Sequence, residues 1–197
     1  MQTALPIEIT TTGIYEKLAQ AWLDRKRHIW LEGGTAASKT YSTIQLLAMI
    51  VQSSRQPLLI SIVSESFPHL RRGVLRDFLS IMGERWEPAQ FNKTDSIYTF
   101  PHASIEFFSA DQASKLRGGR RDVLFLNEGN NISYDAFREL DSRTRRCTVV
   151  DWNPVSEFWY HENYQPLDEG DGTYIHATYR DALGVIRPEV IRNILNI

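Results

Sequence analysis

The sequence has a single cysteine, Cys147, among 197 residues. One thiol excludes an internal disulfide and a cysteine-rich zinc site, and it fits a reducing compartment. The chain also has little net charge, because 22 Lys and Arg residues against 24 Asp and Glu residues leave a formal charge of −2. No global positive field therefore attracts nucleic acid, and any contact with DNA must come from a local patch.

Long apolar stretches are missing as well. No apolar run approaches the roughly 20 residues that a membrane-spanning helix needs, and the N-terminus lacks a secretion-signal pattern. With 42% apolar and 23% charged residues, the composition is that of an ordinary globular chain with one sizeable core and no membrane contact. We expect residues 1–197 to form a single domain, in which residues 1–28 are a mixed leading segment.

Short, continuously apolar runs predict buried strands at 28–32, 58–63, 122–128, 147–152 and 173–179. Helical spacing of apolar residues predicts helices at 15–22, 39–53, 67–83, 134–143, 156–163 and from about 187. Two further runs flank FPHA and predict a β-hairpin between about 96 and 109. Apolar strands that alternate with helices indicate an α/β fold: a mostly parallel central sheet flanked by helices, with the hairpin as an insertion.

A phosphate-binding loop is indicated by EGGTAASKTY, residues 32–41. In the pattern G-x-x-x-x-G-K-[ST], backbone N–H groups face phosphate oxygens, the lysine contacts the outer phosphates and the hydroxyl binds Mg²⁺. Ser38 replaces the second glycine, and it is small enough for close approach although it costs backbone freedom. The residues predicted to contact the nucleotide here are Gly33, Gly34, Thr35, Ala36, Ala37, Ser38, Lys39 and Thr40.

A second polar cluster follows the strand DVLFL, which runs into Asn127 and Glu128. Glu128 fits the general base that polarises the attacking water in hydrolytic phosphate-loop proteins. Asn127 stands where such proteins carry an acid. Its side-chain amide can orient a magnesium-bound water, but it brings no charge. We therefore predict metal contacts from Thr40 and, through water, from Asn127.

A third cluster ends the strand of CTVVDWNP, with Asp151 and Asn153 at its tip. The amide of Asn153 can sense the γ-phosphate through a hydrogen bond. Parallel sheets bind ligands beyond the carboxyl ends of their strands. We expect the three clusters to meet there, at residues 33–40, 127–131 and 151–154.

Phosphoryl transfer needs positive charge beyond Lys39. Arginines in two segments are candidates, although both sets also fit solvated surface charge. The run SKLRGGRRD supplies Lys115, Arg117, Arg120 and Arg121, and the helix at 67–83 supplies Arg71, Arg72 and Arg76.

Two aromatic residues before the phosphate loop, Tyr15 and Trp22, are candidates for stacking on the adenine base. A role in the hydrophobic core is favoured for both.

In this order the segments WLEGGTAASKTYS, KLRGGRRDVLFLNE, VVDWNP and TYIHATYRDALGVIRPEV resemble the ATPase domain of the large terminase subunit of tailed bacteriophages. That subunit is the motor that packages DNA into the empty capsid. The resemblance extends from about residue 27 to 192, and the order and spacing of the motifs are more specific than any one of them.

The resemblance implies a RecA-like P-loop NTPase of the ASCE type, which carries an additional catalytic glutamate. Lys39 and Thr40 would bind ATP and Mg²⁺, and Glu128 would activate water. Asn153 would couple hydrolysis to DNA movement. Arg117 would act as an arginine finger toward a neighbouring subunit. Family members often carry an arginine four residues before the lysine, where this chain has Thr35, so a finger supplied in trans becomes more important.

The resemblance also implies partners and a place of action. They are double-stranded DNA gripped without regard to sequence, the portal protein, the small terminase subunit, and further copies of the chain in a ring on the procapsid, in the cytoplasm of the infected bacterium. Full large terminases carry a C-terminal nuclease as well. The acids Asp168, Glu169 and Asp171 share one loop with two glycines, so we expect no nuclease activity in this chain.

Three other functions are compatible with part of the pattern. The first is another RecA-like DNA-dependent ATPase, such as a helicase or recombination motor. The second is a nucleotide-binding interaction module without hydrolysis, which Asn127 and Thr35 favour and Glu128 disfavours. A small-molecule kinase is disfavoured, because the hairpin at 96–109 does not resemble an arginine-rich lid.

Overall fold

The computed structural model describes residues 10–112, 118–165, 171–183, 185 and 189–190. The strands are β1 (His28–Gly33), β2 (Leu58–Ser64), β3 (Phe91–Asn92), β4 (Ile97–Thr99), β5 (Ala103–Ser109), β6 (Arg121–Leu126), β7 (Thr144–Trp152) and β8 (Gly172–Ala177). The helices are α1 (Gly13–Leu23), α2 (Lys39–Ser53), α3 (Phe67–Arg72), α4 (Val74–Met82), α5 (Tyr134–Asp141) and α6 (Trp159–Asn163). None of the helices in these ranges is long and apolar enough to cross a membrane.

The strands form one sheet in the order β3-β4-β5-β2-β6-β7-β1-β8. The six strands from β5 to β8 are parallel, whereas β3 and β4 pair antiparallel at one edge. The predicted hairpin is the pair β4 and β5. The architecture is therefore the predicted one, a mostly parallel sheet flanked by helices with a hairpin insertion.

The central parallel strands are buried on both faces, which explains their continuously apolar sequences. Ile29 and Leu31 of β1 pack into one core with α1, α2 and α4, whereas Trp30 between them packs into a second core with α5 and α6. Two helices begin with a side-chain cap that satisfies a free backbone N–H. Thr12 accepts from Tyr15 N at the start of α1, and Ser133 accepts from Ala136 N at the start of α5.

The largest differences from the predicted elements are a divided helix, an earlier strand start and an additional short strand. The helix predicted at 67–83 is two helices, because the chain breaks at Gly73 with φ −98° and ψ −96°. Strand β7 begins at Thr144, before the apolar run that predicted it, and the two-residue strand β3 was not predicted. The terminal helix predicted from about 187 lies mostly outside the described residues, as do the acids Asp168 and Glu169.

Candidate functional site

The three polar clusters meet at the carboxyl edge of the sheet. Strands β6, β7 and β1 are consecutive neighbours there. The pairing of Leu126 with Val150 and of Trp30 with Val150 brings the three strand ends level with one another. The segments that follow these strands therefore surround one position, as the sequence predicts.

Lys39 is the first residue of α2 and is almost fully buried, with 7% of its surface exposed. Its ammonium donates to the carbonyl oxygens of Gly33 at 2.6 Å and Gly34 at 3.1 Å, and to Asn153 Oδ1 at 3.0 Å. Burial lowers the pKa of Lys39, and the nearby charges of Asp151, Glu128 and Glu32 offset only part of that shift. The loop thus wraps around the cation that is predicted to contact the phosphates.

Two residues of this loop have special backbone requirements. Ser38, in the place of a glycine, adopts a left-handed conformation with φ 57° and ψ 20°, which costs a non-glycine residue about 1–2 kcal/mol. Gly33 ends β1 so close to β8 that a Cβ there would overlap the carbonyl oxygen of Ala177. Gly34 meets no such limit, since nothing lies within 4 Å of a Cβ built there.

The other loop residues predicted to contact nucleotide differ in exposure. Thr35 is exposed, Ala36 is half-buried and Ala37 is buried.

Asp151, near the end of β7, is the buried carboxylate of the site, with 1% of its surface exposed. Thr40 Oγ1 donates to its Oδ2 at 2.6 Å, and Glu128 N donates to its Oδ1 at 2.7 Å. Asn127 Nδ2 lies 3.2 Å from Oδ1 of the same carboxylate. Burial raises the pKa of Asp151, and the hydrogen bonds from Thr40 and Glu128 work against that shift.

The orientation of Asn127 follows from its neighbours. A carboxylate can only accept hydrogen bonds, so the NH₂ group of Asn127 faces Asp151, and it also lies 3.3 Å from Thr40 Oγ1. The amide oxygen accepts from Ser64 Oγ at 3.2 Å on the other side. The donor end of Asn127, and not its oxygen, therefore faces Thr40, and its water-mediated metal contact stays a prediction.

Glu128 occupies the turn after β6 in a left-handed conformation, with φ 55° and ψ 54°. Non-glycine residues held in this region often lie at functional sites. Its carboxylate accepts from Asn131 Nδ2 at 3.3 Å and lies 3.6 Å from His69 Nε2. The side chain is 35% exposed, so it can reach a water in the adjoining cavity.

A cavity of about 490 Å³ opens between the loop and the start of α4. This volume lies within the usual range for small-molecule sites. Two exposed cations of the predicted group, Arg72 and Arg76, line the same cavity as Lys39. The remaining lining residues include Thr35, Ser38, Thr40, His69, Asn127, Glu128, Asp151 and Asn153.

The second group of predicted cations has a different outcome. Arg121 begins β6 at the amino edge, where it is 2% exposed and donates to Leu140 O at 3.0 Å. It is therefore a core residue that cannot reach a phosphate at the carboxyl edge, and the prediction for Arg121 is wrong. Arg120 precedes it on the surface at the same edge. Arg117 and Lys115 lie outside the described residues.

Tyr15 and Trp22, the candidates for adenine stacking, lie on α1 and pack partly buried against the core. Trp22 also lines a cavity with Arg146 and Cys147 near the start of β7, at the amino edge. The core role favoured from the sequence therefore describes both residues, and the structure adds no stacking face for a base among the residues it describes.

The fold and the loop together define a P-loop α/β domain. No protein-family model and no curated protein sequence matches the chain. Solved structures do match. The large terminase from a thermophilic bacteriophage superposes with a TM-score of 0.79 at 18% identity, covering 94% of this chain and 50% of that chain.

Two further structures extend this likeness. The same phage terminase in complex with ATP-gamma-S superposes with a TM-score of 0.77 at 17% identity, covering 94% of this chain and 49% of that chain. A mutant of the Thermus phage P74-26 large terminase ATPase domain superposes with a TM-score of 0.61 at 15% identity, covering 93% of this chain and 88% of that chain. The chain therefore has the fold of phage large terminase ATPase domains, and it spans about half the length of the first of these proteins.

Proposed function

We propose that this chain is the ATP-hydrolysing motor domain of a phage terminase large subunit, which drives double-stranded DNA into the procapsid. The observation that carries the proposal is the convergence of Lys39, Thr40, Glu128 and Asn153 at the carboxyl edge of a sheet with the fold of terminase ATPase domains. The terminase of the thermophilic phage has been solved with ADP and with ATP-gamma-S, which supports a nucleotide as the ligand.

The residues present fit ATP and Mg²⁺. Lys39 has a buried ammonium held by carbonyl and amide oxygens, which phosphate oxygens can replace. Thr40 would hold the metal through its hydroxyl, since Mg²⁺ prefers such oxygen ligands, with Asn127 and Asp151 beside it. When bound, the metal neutralises charge on the phosphates.

Glu128 supplies the base in this proposal. Its carboxylate takes a proton from the water whose oxygen bonds to the γ-phosphorus, while the bond from that phosphorus to the oxygen shared with the β-phosphate breaks. Asn153 contacts Lys39 at 3.0 Å, so exchange of this contact for phosphate is a means to transmit the nucleotide state to the end of β7. Arg72 and Arg76 add positive charge to the cavity.

The proposed function includes assembly of several copies of the chain with other packaging proteins. Arg117 would complete the site of a neighbouring copy in a ring on the procapsid, with the portal protein and small terminase subunit as further partners in the host cytoplasm. DNA would be held through its phosphates, because packaging must accept any sequence. A helicase-like motor would share the hydrolysis and differ in these partners.

Glu128→Gln tests the chemical step. We expect the variant to bind ATP about as well as the wild type and to lose at least ~100-fold in turnover, because loss of a general base costs about that much. Steady-state phosphate release and a fluorescent-nucleotide titration measure the two quantities. The matched control is Glu65→Gln, which removes an exposed carboxylate 3.9 Å from the same His69 and should leave turnover unchanged.

Two results would contradict the proposal. Wild-type turnover in Glu128→Gln would show that another group activates water. Tight ATP binding without any hydrolysis by the wild-type chain would instead favour the nucleotide-binding module, for which the amide at Asn127 is the specific observation.

A further inference from the structure

The end of β6 lacks the carboxylate that a hydrolytic phosphate-loop site would place there. Asn127 occupies the position, and its NH₂ group faces Thr40 at 3.3 Å. An NH₂ group can donate but cannot accept, so in this orientation it offers nothing to the waters around a cation. Some other oxygen must stand beside the Thr40 hydroxyl if a magnesium ion is held there.

That oxygen belongs to the next strand. Strand β7 is the neighbour of β6. The paired residues Leu126 and Val150 are followed by Asn127, directly after the end of β6, and by Asp151 within β7. The two side chains are thus adjacent, with Asn127 Nδ2 at 3.2 Å from Asp151 Oδ1. Asp151 Oδ2 accepts from Thr40 Oγ1 at 2.6 Å. The Thr40 hydroxyl therefore has a carboxylate partner, although position 127 does not supply one.

We propose that Asp151 is the acidic residue that anchors the magnesium ion in this chain, its carboxylate having moved one strand along the sheet from the usual place at the end of β6. The inference rests on the proposed nucleotide site. Asp151 holds metal-bound water beside Thr40, and Asn127 donates to Asp151 and fixes its orientation.

The same carboxylate also positions the general base. Asp151 Oδ1 accepts from the backbone N–H of Glu128 at 2.7 Å, at the residue with the left-handed conformation. A buried carboxylate that joins Thr40 to Glu128 links the metal position to the catalytic turn. The polar groups that face it are Lys39, Thr40, Asn127 and the Glu128 backbone.

The test is the magnesium dependence of nucleotide binding, which does not require hydrolysis. Fluorescent ADP is titrated with excess Mg²⁺ and with EDTA, for the wild type and for Asp151→Asn. We expect Mg²⁺ to strengthen wild-type binding and this strengthening to fall at least ~10-fold in the variant, as for other outer-shell ligands. Affinity in EDTA should stay equal or rise, because a negative charge beside the phosphates is removed.

Two further variants complete the design. Asp122→Asn, at the amino edge of the same strand pair, is the control and should keep the wild-type magnesium effect. The exchange Asn127→Asp with Asp151→Asn returns the acid to the end of β6 and should restore magnesium-strengthened binding. If Asp151→Asn alone fails to fold or to bind in EDTA, this exchange decides: restored magnesium dependence supports the proposal, and its absence overturns it.

Failure of the proposed function and failure of the role proposed for Asp151 give different results in these titrations. A wild-type chain that binds no nucleotide in either buffer overturns the proposed function and this inference with it. A wild-type chain with a clear magnesium effect that Asp151→Asn retains in full overturns the role of Asp151 and leaves the proposed nucleotide site standing.

Discussion

Gly33 serves the packing of the sheet as well as the phosphate loop. As the last residue of β1 it lies against β8, and an added methyl group would overlap the carbonyl oxygen of Ala177. This oxygen is part of the backbone and cannot rotate away. The first glycine of the motif is therefore required by a close approach of two strands, which a loop pattern alone does not reveal.

The adjacent glycine provides the comparison. We expect Gly33→Ala to lower the free energy of unfolding by about 1–3 kcal/mol, as overpacking does. Gly34→Ala should change it by less than about 0.5 kcal/mol, since a Cβ there meets nothing within 4 Å. Urea unfolding measures both variants. Equal losses of unfolding free energy in the two variants would show that the contact between β1 and β8 is not the reason for a glycine at position 33.

The role of Asp151 could not be predicted from local residue patterns alone. The sequence identifies it as a polar residue at a strand end, but its role depends on β7 lying directly beside β6. Strand order is a long-range property that local spacing does not encode. A pair of signals was available nonetheless: an amide where an acid is expected, and an acid near the end of the next apolar strand.

At the scale of elements, apolar runs predicted the hairpin and the parallel strands, because the central strands are buried on both faces. The helix break at Gly73 was missed, since the apolar spacing continues through it while the backbone turns at ψ −96°. The first residues of β7 were missed because Arg145 and Arg146 are exposed there and give no apolar signal.

The amino edge of the sheet is stabilised by a polar network on Asp141, which joins α5, β1 and β7. Its Oδ1 lies 2.9 Å from Arg27 Nη2 and accepts from Thr148 Oγ1 at 2.6 Å, with His28 Nε2 at 3.3 Å. Burial alone would raise the pKa of Asp141. The hydrogen bonds from His28 and Thr148 and the charges of His28 and Arg27 outweigh it and leave the pKa below its ordinary value.

The sign of the pH effect follows from this depressed pKa. The ionised network stabilises the fold above the unfolded-state pKa of about 3.9 and is lost as pH falls through the lower folded-state pKa. We expect Asp141→Asn to cost about 1–3 kcal/mol at pH 7, with the difference from wild type shrinking toward about pH 3. Urea unfolding across this range measures it, with exposed Asp24→Asn as the control. A loss of the same size at every pH would rule out the ionised network as its cause.

At the scale of the whole molecule, the chain presents a site that is open on one side. Lys39, Glu128 and the candidate cations Arg72 and Arg76 line a cavity, to which Thr35 of the loop brings no charge. In the proposed ring, a second copy of the chain would supply further positive charge to this cavity, with Arg117 as its source. A site completed in trans responds to protein concentration, whereas a site complete within one chain does not.

The most direct test of ATP hydrolysis by this domain is turnover per molecule measured against protein concentration. We expect turnover to rise with concentration and to disappear in Glu128→Gln at every concentration. Mixing Glu128→Gln with Arg117→Ala should restore part of the activity, because each variant keeps the group that the other lacks. Absence of hydrolysis by the wild-type chain at all concentrations, despite bound ATP, would contradict the account.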